Sequence, residues 1–81
     1  MEETLQGEIT MRGMISILFQ DKSYGFIKAN NIDFFFHRDD FLGDFQTLFD
    51  AINSGNSPIE VEFEGIENHP KGPRARNVRI V

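Results

Sequence analysis

Lys22-Ser23-Tyr24-Gly25-Phe26-Ile27-Lys28-Ala29, Asn30-Asn31 and Ile32-Asp33-Phe34-Phe35-Phe36-His37 form the stretch that decides the fold. Two apolar-aromatic runs flank a pair of asparagines. Asn tolerates the left-handed backbone region, so Asn30-Asn31 reads as a tight turn between two strands. Side chains on a strand alternate faces. Tyr24, Phe26 and Lys28 then share one face, and Gly25, Ile27 and Ala29 the other. On the second strand Phe35 and His37 fall together, opposite Phe34 and Phe36. Ile27, Phe34 and Phe36 already supply a core, so Tyr24, Phe26, Phe35 and His37 are left for the outside. Exposed flat rings beside cations suit single-stranded nucleic acid, because every base has a face to stack.

The chain has 81 residues, enough for one domain. A domain of this size buries only about 60% of its unfolded surface. Cysteine is absent, so neither disulfides nor a cysteine-ligated zinc can hold it, and nine Phe residues must carry the packing. Met1-Glu2-Glu3-Thr4 is acidic with no apolar run behind it, which is not a signal peptide. No segment approaches the roughly 20 apolar residues of a membrane span. The expected location is the cytoplasm.

Net charge is −5, from 13 acidic and 8 basic residues, against the basic footprint usual for nucleic-acid binding. The distribution changes that reading. Glu60, Glu62 and Glu64 alternate onto one outer strand face, and Glu2, Glu3 and Glu8 lie in the leader. Lys22 and Lys28 flank the first aromatic run, Arg38 follows the second, and Arg74, Arg76 and Arg79 cluster near the end. Screening limits a charge's reach to about 8 Å in physiological salt. A binding face can be locally positive on an acidic protein.

Residues 1–8 read as a mobile leader and 9–81 as the folded domain. Strands are expected at 9–20, 24–29, 32–37, 59–66 and 75–81, the last with Val78 and Ile80 inward. Gly13 within the first strand marks a bulge or bend that lets it pair on both sides. Between strands three and four the period changes. Phe41, Phe45, Leu48, Phe49 and Ile52 fall at helical spacing, with Asp44 as N-cap and Gly55 as stop, which predicts a short helix over 45–53 whose buried stripe they form. Residues 53–58 and 68–73 are loops. Five short strands with one short helix predict an all-β, five-stranded antiparallel barrel, since closure removes exposed edges.

At this point the residues resemble the cold-shock domain. The family's first motif, Lys-Gly-aromatic-Gly-Phe-Ile, matches Lys22 to Ile27 except that Ser23 replaces the first Gly. Its second, Asp-Val-Phe-Val-His, matches at Asp33, Phe35 and His37, with Phe34 and Phe36 for the core valines. Lys71-Gly72-Pro73-Arg74-Ala75-Arg76-Asn77-Val78 is similar to the closing Lys-Gly-Pro-x-Ala-x-Asn-Val signature. Gly13 keeps its spacing of nine residues before Lys22. The similarity spans residues 9–81 and implies an OB-fold, the oligonucleotide-binding barrel. The family's first-strand Trp-Phe-Asn is replaced by Ile17, Leu18 and Phe19, and there is no Trp. Phe19 partly replaces the lost platform or joins the core. Arg38 stands where bacterial members often carry an aromatic; a guanidinium both stacks on bases and pairs with phosphate.

Catalytic chemistry finds little support. His37-Arg38-Asp39 spells a kinase-loop tripeptide, but position 44 is Asp where Asn is needed, and the chain is far too short. Asp39-Asp40 reads as a helix-entry or loop pair rather than an acid–base dyad. His37 and His69 have no third metal ligand at a suitable spacing. The expected protein is not an enzyme and needs no metal or other cofactor. Its partner is single-stranded RNA or DNA, with no membrane, no small-molecule substrate and a monomeric state. Tyr24, Phe26, Phe35 and His37, with Phe19, stack bases; Lys22, Lys28, Arg38 and Arg74 hold phosphates. By resemblance the role is that of an ATP-independent RNA chaperone or cold-shock regulator. The alternative is a protein-interaction module on the same barrel, which the lost Trp, the acidic surface and the helical insertion favour.

Overall fold

Apolar-polar alternation builds five strands in the computed structural model, which describes residues 9–56 and 58–81. They are β1 (Ile9–Phe19), β2 (Tyr24–Ala29), β3 (Ile32–His37), β4 (Ile59–Ile66) and β5 (Arg74–Ile80), with the helix α1 (Phe45–Ala51) between β3 and β4. The leader expected over residues 1–8 lies outside the described residues. Asn30 and Asn31 have φ of 52° and 64°, the paired left-handed geometry of a two-residue hairpin turn.

The strands close into a barrel in the order β1-β2-β3-β5-β4. Four neighbouring pairs are antiparallel, but β3 and β5 run parallel, with Phe35 opposite Arg74. This corrects the all-antiparallel expectation at one seam. Directions that alternate around a ring of five strands must leave one pair pointing the same way. Phe41 extends the seam by bridging Val78, and the Leu42 N–H donates to the Val78 carbonyl at 2.7 Å.

β1 serves two neighbours, pairing β4 through residues 9–15 and β2 through residues 14–19. Its bulge falls at Ser16 rather than at Gly13. Gly13 instead marks a close crossing: a Cβ there would lie 2.6 Å from the Lys28 carbonyl oxygen. The bulge has a consequence for the faces. Strict alternation from buried Ile15 would send Ile17 and Phe19 inward. One extra residue reverses this, so Leu18 packs on the core and Ile17 points outward.

The core contains Ile15, Ile27, Phe34, Phe36, Val61, Phe63 and Val78, each at most 1% exposed. Two adjacent-but-one Phe side chains in so small a barrel need room. Gly25 stands opposite Phe36 in the β2–β3 register, and a Cβ on it would approach the Phe36 ring to 3.1 Å. Gly65 makes the same allowance for Phe34, again at 3.1 Å. Ile80, expected inward, is 46% exposed. It stands opposite Val61 at the barrel rim and lines a groove with Leu42 and Leu48.

Asp44 caps α1 as expected, its carboxylate accepting the Gln46 N–H at 3.0 Å. The helix ends at Ala51, two residues before the expected limit, and one wide π-type turn over Ile52–Asn56 carries the chain to Gly55 at φ 88°. Leu48 is fully buried, Phe41 joins the core, and Phe45 meets the Phe36 ring edge-on at 6.2 Å. Phe45, Phe49 and Ile52 of the expected buried stripe are only half-buried, and of the three Phe45 and Ile52 pack against the core. Phe45, Leu48 and Ile52 centre the apolar stripe, and Phe49 falls on its flank. Leu48→Ala should therefore cost about 2–5 kcal/mol in urea unfolding. Phe49→Ala should cost less, and the reverse order would contradict this docking.

A further left-handed residue falls at a departure from the resembled motif. Ser23, where the family motif has Gly, adopts φ 60° between a 3-10 turn (Gln20–Lys22) and β2. Its carbonyl accepts the Arg38 N–H at 2.8 Å, so the conformation is locked. A left-handed L-residue costs roughly 1–2 kcal/mol, part of which Gly returns as unfolded-state entropy. Ser23→Gly should raise the thermal midpoint by a few degrees. An unchanged or lower midpoint would remove the strain argument.

Candidate nucleic-acid interface

The β1–β2–β3 register places the outward side chains in rows. Phe19, Tyr24 and His37 form one row, because Phe19 opposes Tyr24 and Tyr24 opposes His37. Ile17, Phe26 and Phe35 form the next, and Arg74 continues it onto β5. Met14, Lys28 and Asp33 form the third. Cross-strand partners share a face, so these rows make one continuous surface.

The rings touch in series. Centroids lie 5.0 Å apart for Phe19 and Tyr24, 5.3 Å for Tyr24 and Phe35, and 5.8 Å for Phe35 and Phe26. Tyr24 and Phe26 meet edge-on at 6.0 Å. All four residues are half-buried: their edges support one another while part of each stays open to solvent. Phe19 thus belongs to the outer face and not to the core. A ring held by its neighbours loses little freedom when a base lands on it, which favours stacking.

His37 is fixed by the backbone that follows it. Its Nδ1 accepts the Asp39 N–H at 3.1 Å, while its own N–H donates to Asp40 Oδ2 at 2.9 Å. This reciprocal cap opens the 3-10 turn Arg38–Asp40. Asp39 and Asp40 are therefore turn-forming residues. Asp40 Oδ2 also accepts from Arg74 at 3.3 Å, tying the end of β3 to the start of β5.

The cations divide into two groups. Arg74 is held twice, by Asp40 and by the Phe35 ring, with its guanidinium carbon 5.3 Å from the centroid. Lys28 faces Asp33 across the hairpin at 3.8 Å, both side chains being more than half exposed. Such a surface pair is worth at most about 1 kcal/mol and yields readily to a phosphate. Lys22 and Arg38 are exposed and have no carboxylate partner among the described residues. They flank the Tyr24–His37 end of the face. On the far wall, Glu60 pairs with Arg12 at 3.9 Å and Glu62 with Arg79, so part of the acidic strand is neutralised internally.

Beside Phe26 and Phe35 the face deepens into a groove of about 390 Å³ whose other wall is the β4–β5 loop, including His69 and Lys71. A larger hollow of about 680 Å³ lies beyond Arg38 and is lined by Asp21, Asp39 and Asp44. Its three carboxylates oppose a polyanion, and the aromatic surface is the better site despite the smaller volume. Among the described residues no three His, Cys, Asp or Glu side chains converge as metal ligands, and no helix is long and apolar enough to cross a membrane.

These geometric features agree with two comparisons. The profile of the "'Cold-shock' DNA-binding domain" matches residues 11–81. A cold shock-like protein of Aquifex aeolicus (strain VF5) is 38% identical over 76 residues, covering 90% of this chain and 97% of that one. The chain belongs to the cold-shock domain family. Membership carries nucleic-acid binding in general and an OB-fold barrel, as the strand order has already shown.

Within this cold-shock domain the structure brings Phe19, Tyr24, Phe26, Phe35 and His37 together, with Lys22, Lys28, Arg38 and Arg74 at the margins. It also adds Ile17 and Met14, which are 46% and 43% exposed on the same face. Met14 follows from simple alternation beside buried Ile15, whereas the direction of Ile17 is set by the Ser16 bulge, which no periodic signal marks. Ile17 stands beside Phe26 at the position of the family's Trp, so an aromatic there would extend the ring series. Ile17→Trp should tighten binding of single-stranded oligonucleotide by about 1–3 kcal/mol, the worth of one stacked base. Titration of wild type and variant with a fluorescently labelled oligonucleotide measures it, and an unchanged affinity would show that bases do not cross this part of the face.

Proposed function

We propose that this domain binds single-stranded RNA or DNA across the outer face of β1, β2 and β3. The observation that carries the reading is the unbroken contact of Phe19, Tyr24, Phe35 and Phe26, half-open to solvent and bordered by exposed Lys22 and Arg38, which have no carboxylate partner among the described residues. Successive bases stack on the rings while the cations take phosphates. Rings fixed to a sheet cannot reach bases stacked inside a duplex, so single strands are selected. Binding them competes with base pairing, and the protein opens weak RNA hairpins without ATP. In this role it is a cytoplasmic monomer that needs no cofactor and acts on no small molecule.

Two variants separate stacking from charge. Phe35→Leu keeps apolar cover over the sheet but removes the flat ring. It should lower affinity for oligo-dT by a similar factor at every salt concentration, within the roughly 1–3 kcal/mol of a stacked base. Lys22→Ala should instead flatten the plot of log affinity against log salt by about 0.7, the single-strand value per phosphate contact. Circular dichroism checks that both fold. If Phe35→Leu binds as wild type does, the aromatic face is not the binding face, and the protein-interaction alternative takes its place.

A further inference from the structure

We infer that the two-walled groove between Phe35 and the β4–β5 loop seats one nucleobase, and that His69 is its edge-reading wall. The inference rests on the single-strand reading and goes beyond it. An open ring surface accepts any base; a pocket with a fixed donor makes one position along the strand different from the rest.

The loop is built to hold that wall. The His69 carbonyl accepts the Gly72 N–H at 2.9 Å, closing a four-residue turn. Pro70 at the second position of the turn has its φ preset and restricts His69 before it. Gly72 takes φ 106°, which an L side chain would resist. The Pro73 carbonyl then accepts the Phe35 N–H at 3.1 Å, pinning the loop to β3 beside the ring it faces. The volume of about 390 Å³ lies within the ~300–1,000 Å³ typical of ligand pockets.

The His69 ring is oriented as well as placed. Its Nδ1 accepts the Lys71 backbone N–H at 3.1 Å. An accepting Nδ1 carries no proton, so in the neutral ring the proton sits on Nε2. Nε2 lies across the ring from the turn and has no partner among the described residues. His69 thus turns one nitrogen back to its own loop and lines the groove, and the inference assigns its Nε2 donor to a base held there. Capping the turn does not require a ring. Asn caps such turns with a shorter side chain. What His adds over Asn is ring area and the Nε2 donor, both of which a base in the groove would use.

That difference supplies the test. His69→Asn keeps an oxygen for the Lys71 N–H and deletes the ring and its donor. Binding is measured for wild type and variant with short oligo-dT and with a series carrying one abasic site at each position. Wild type should show one position at which base removal costs most. His69→Asn should weaken oligo-dT binding by about three- to tenfold, the range of one net hydrogen bond. The variant should also lose the extra penalty at that one position, because base and ring then no longer couple. Nitrogen-15 spectra of the wild type should show the His69 Nε2 proton protected from water exchange only when oligo-dT is bound. If wild type binds but the variant matches it, or weakens equally at every position, the pocket is overturned while the aromatic face stands. If wild type binds no oligo-dT, the single-strand reading fails and this inference fails with it.

Discussion

The barrel closes through Phe35. Its N–H donates to the Pro73 carbonyl at 3.1 Å, and its Cα stands opposite Arg74 in the parallel seam between β3 and β5. Below it the Asp40 carboxylate bridges the His37 N–H and the Arg74 guanidinium, and Phe41 continues the seam against Val78. The β3–β5 contact is short, so each of these bonds carries a large share of closure. The same residue puts its ring at the centre of the outer face, touching Tyr24, Phe26 and Arg74. Closure and the interface are thus one piece of geometry. The position of the rings relative to the β4–β5 loop follows from the bond that shuts the barrel.

Alternation then divides three consecutive aromatics between two jobs. Phe34 and Phe36 are fully buried, and Phe35 between them is half-open. Slipping the register by one residue would send two Phe rings into water and one into the core, so the pairing is strongly specified. The inner rings demand space that a small barrel lacks, and Gly25 and Gly65 concede it. Apolar packing carries this core, in a chain without cysteine.

Most of this was legible in the sequence. β2, β3 and β4 fall where alternation sets them, because one face of each is buried and the period of two is clean. The Asn30-Asn31 turn and the Asp44 cap were equally plain, since each residue type has a local reason to be there. The outward set of Tyr24, Phe26, Phe35 and His37 came from the same alternation. What the sequence did not reveal depends on irregularity or on distance. The Ser16 bulge has no marker, yet it decides that Ile17 and Phe19 face outward. The exposure of Ile80 reflects its place at the rim, which strand parity does not report. The Arg74–Asp40 pair joins residues far apart in the chain, and the His69 wall appears only once the loop is folded against Phe35.

The charge pattern shows how an acidic chain can meet a polyanion. Carboxylates on this protein are not spread evenly: Glu60, Glu62 and Asp40 each have a cationic partner, which lowers the field they cast across the surface. The aromatic face is left with exposed Lys22 and Arg38 at one end, and Lys28, whose exposed pair with Asp33 is weak, at the other. Arg74 differs from these. Half-buried and tied to Asp40, it would have to break a bond that also steadies the closing seam before it could meet a phosphate. Its more economical role is to stay where it is, covering the Phe35 ring with one edge and holding the barrel shut with the other. On the proposed reading, phosphate contacts fall to the exposed Lys22, Lys28 and Arg38. The centre of the face belongs to flat surfaces held rigidly in place.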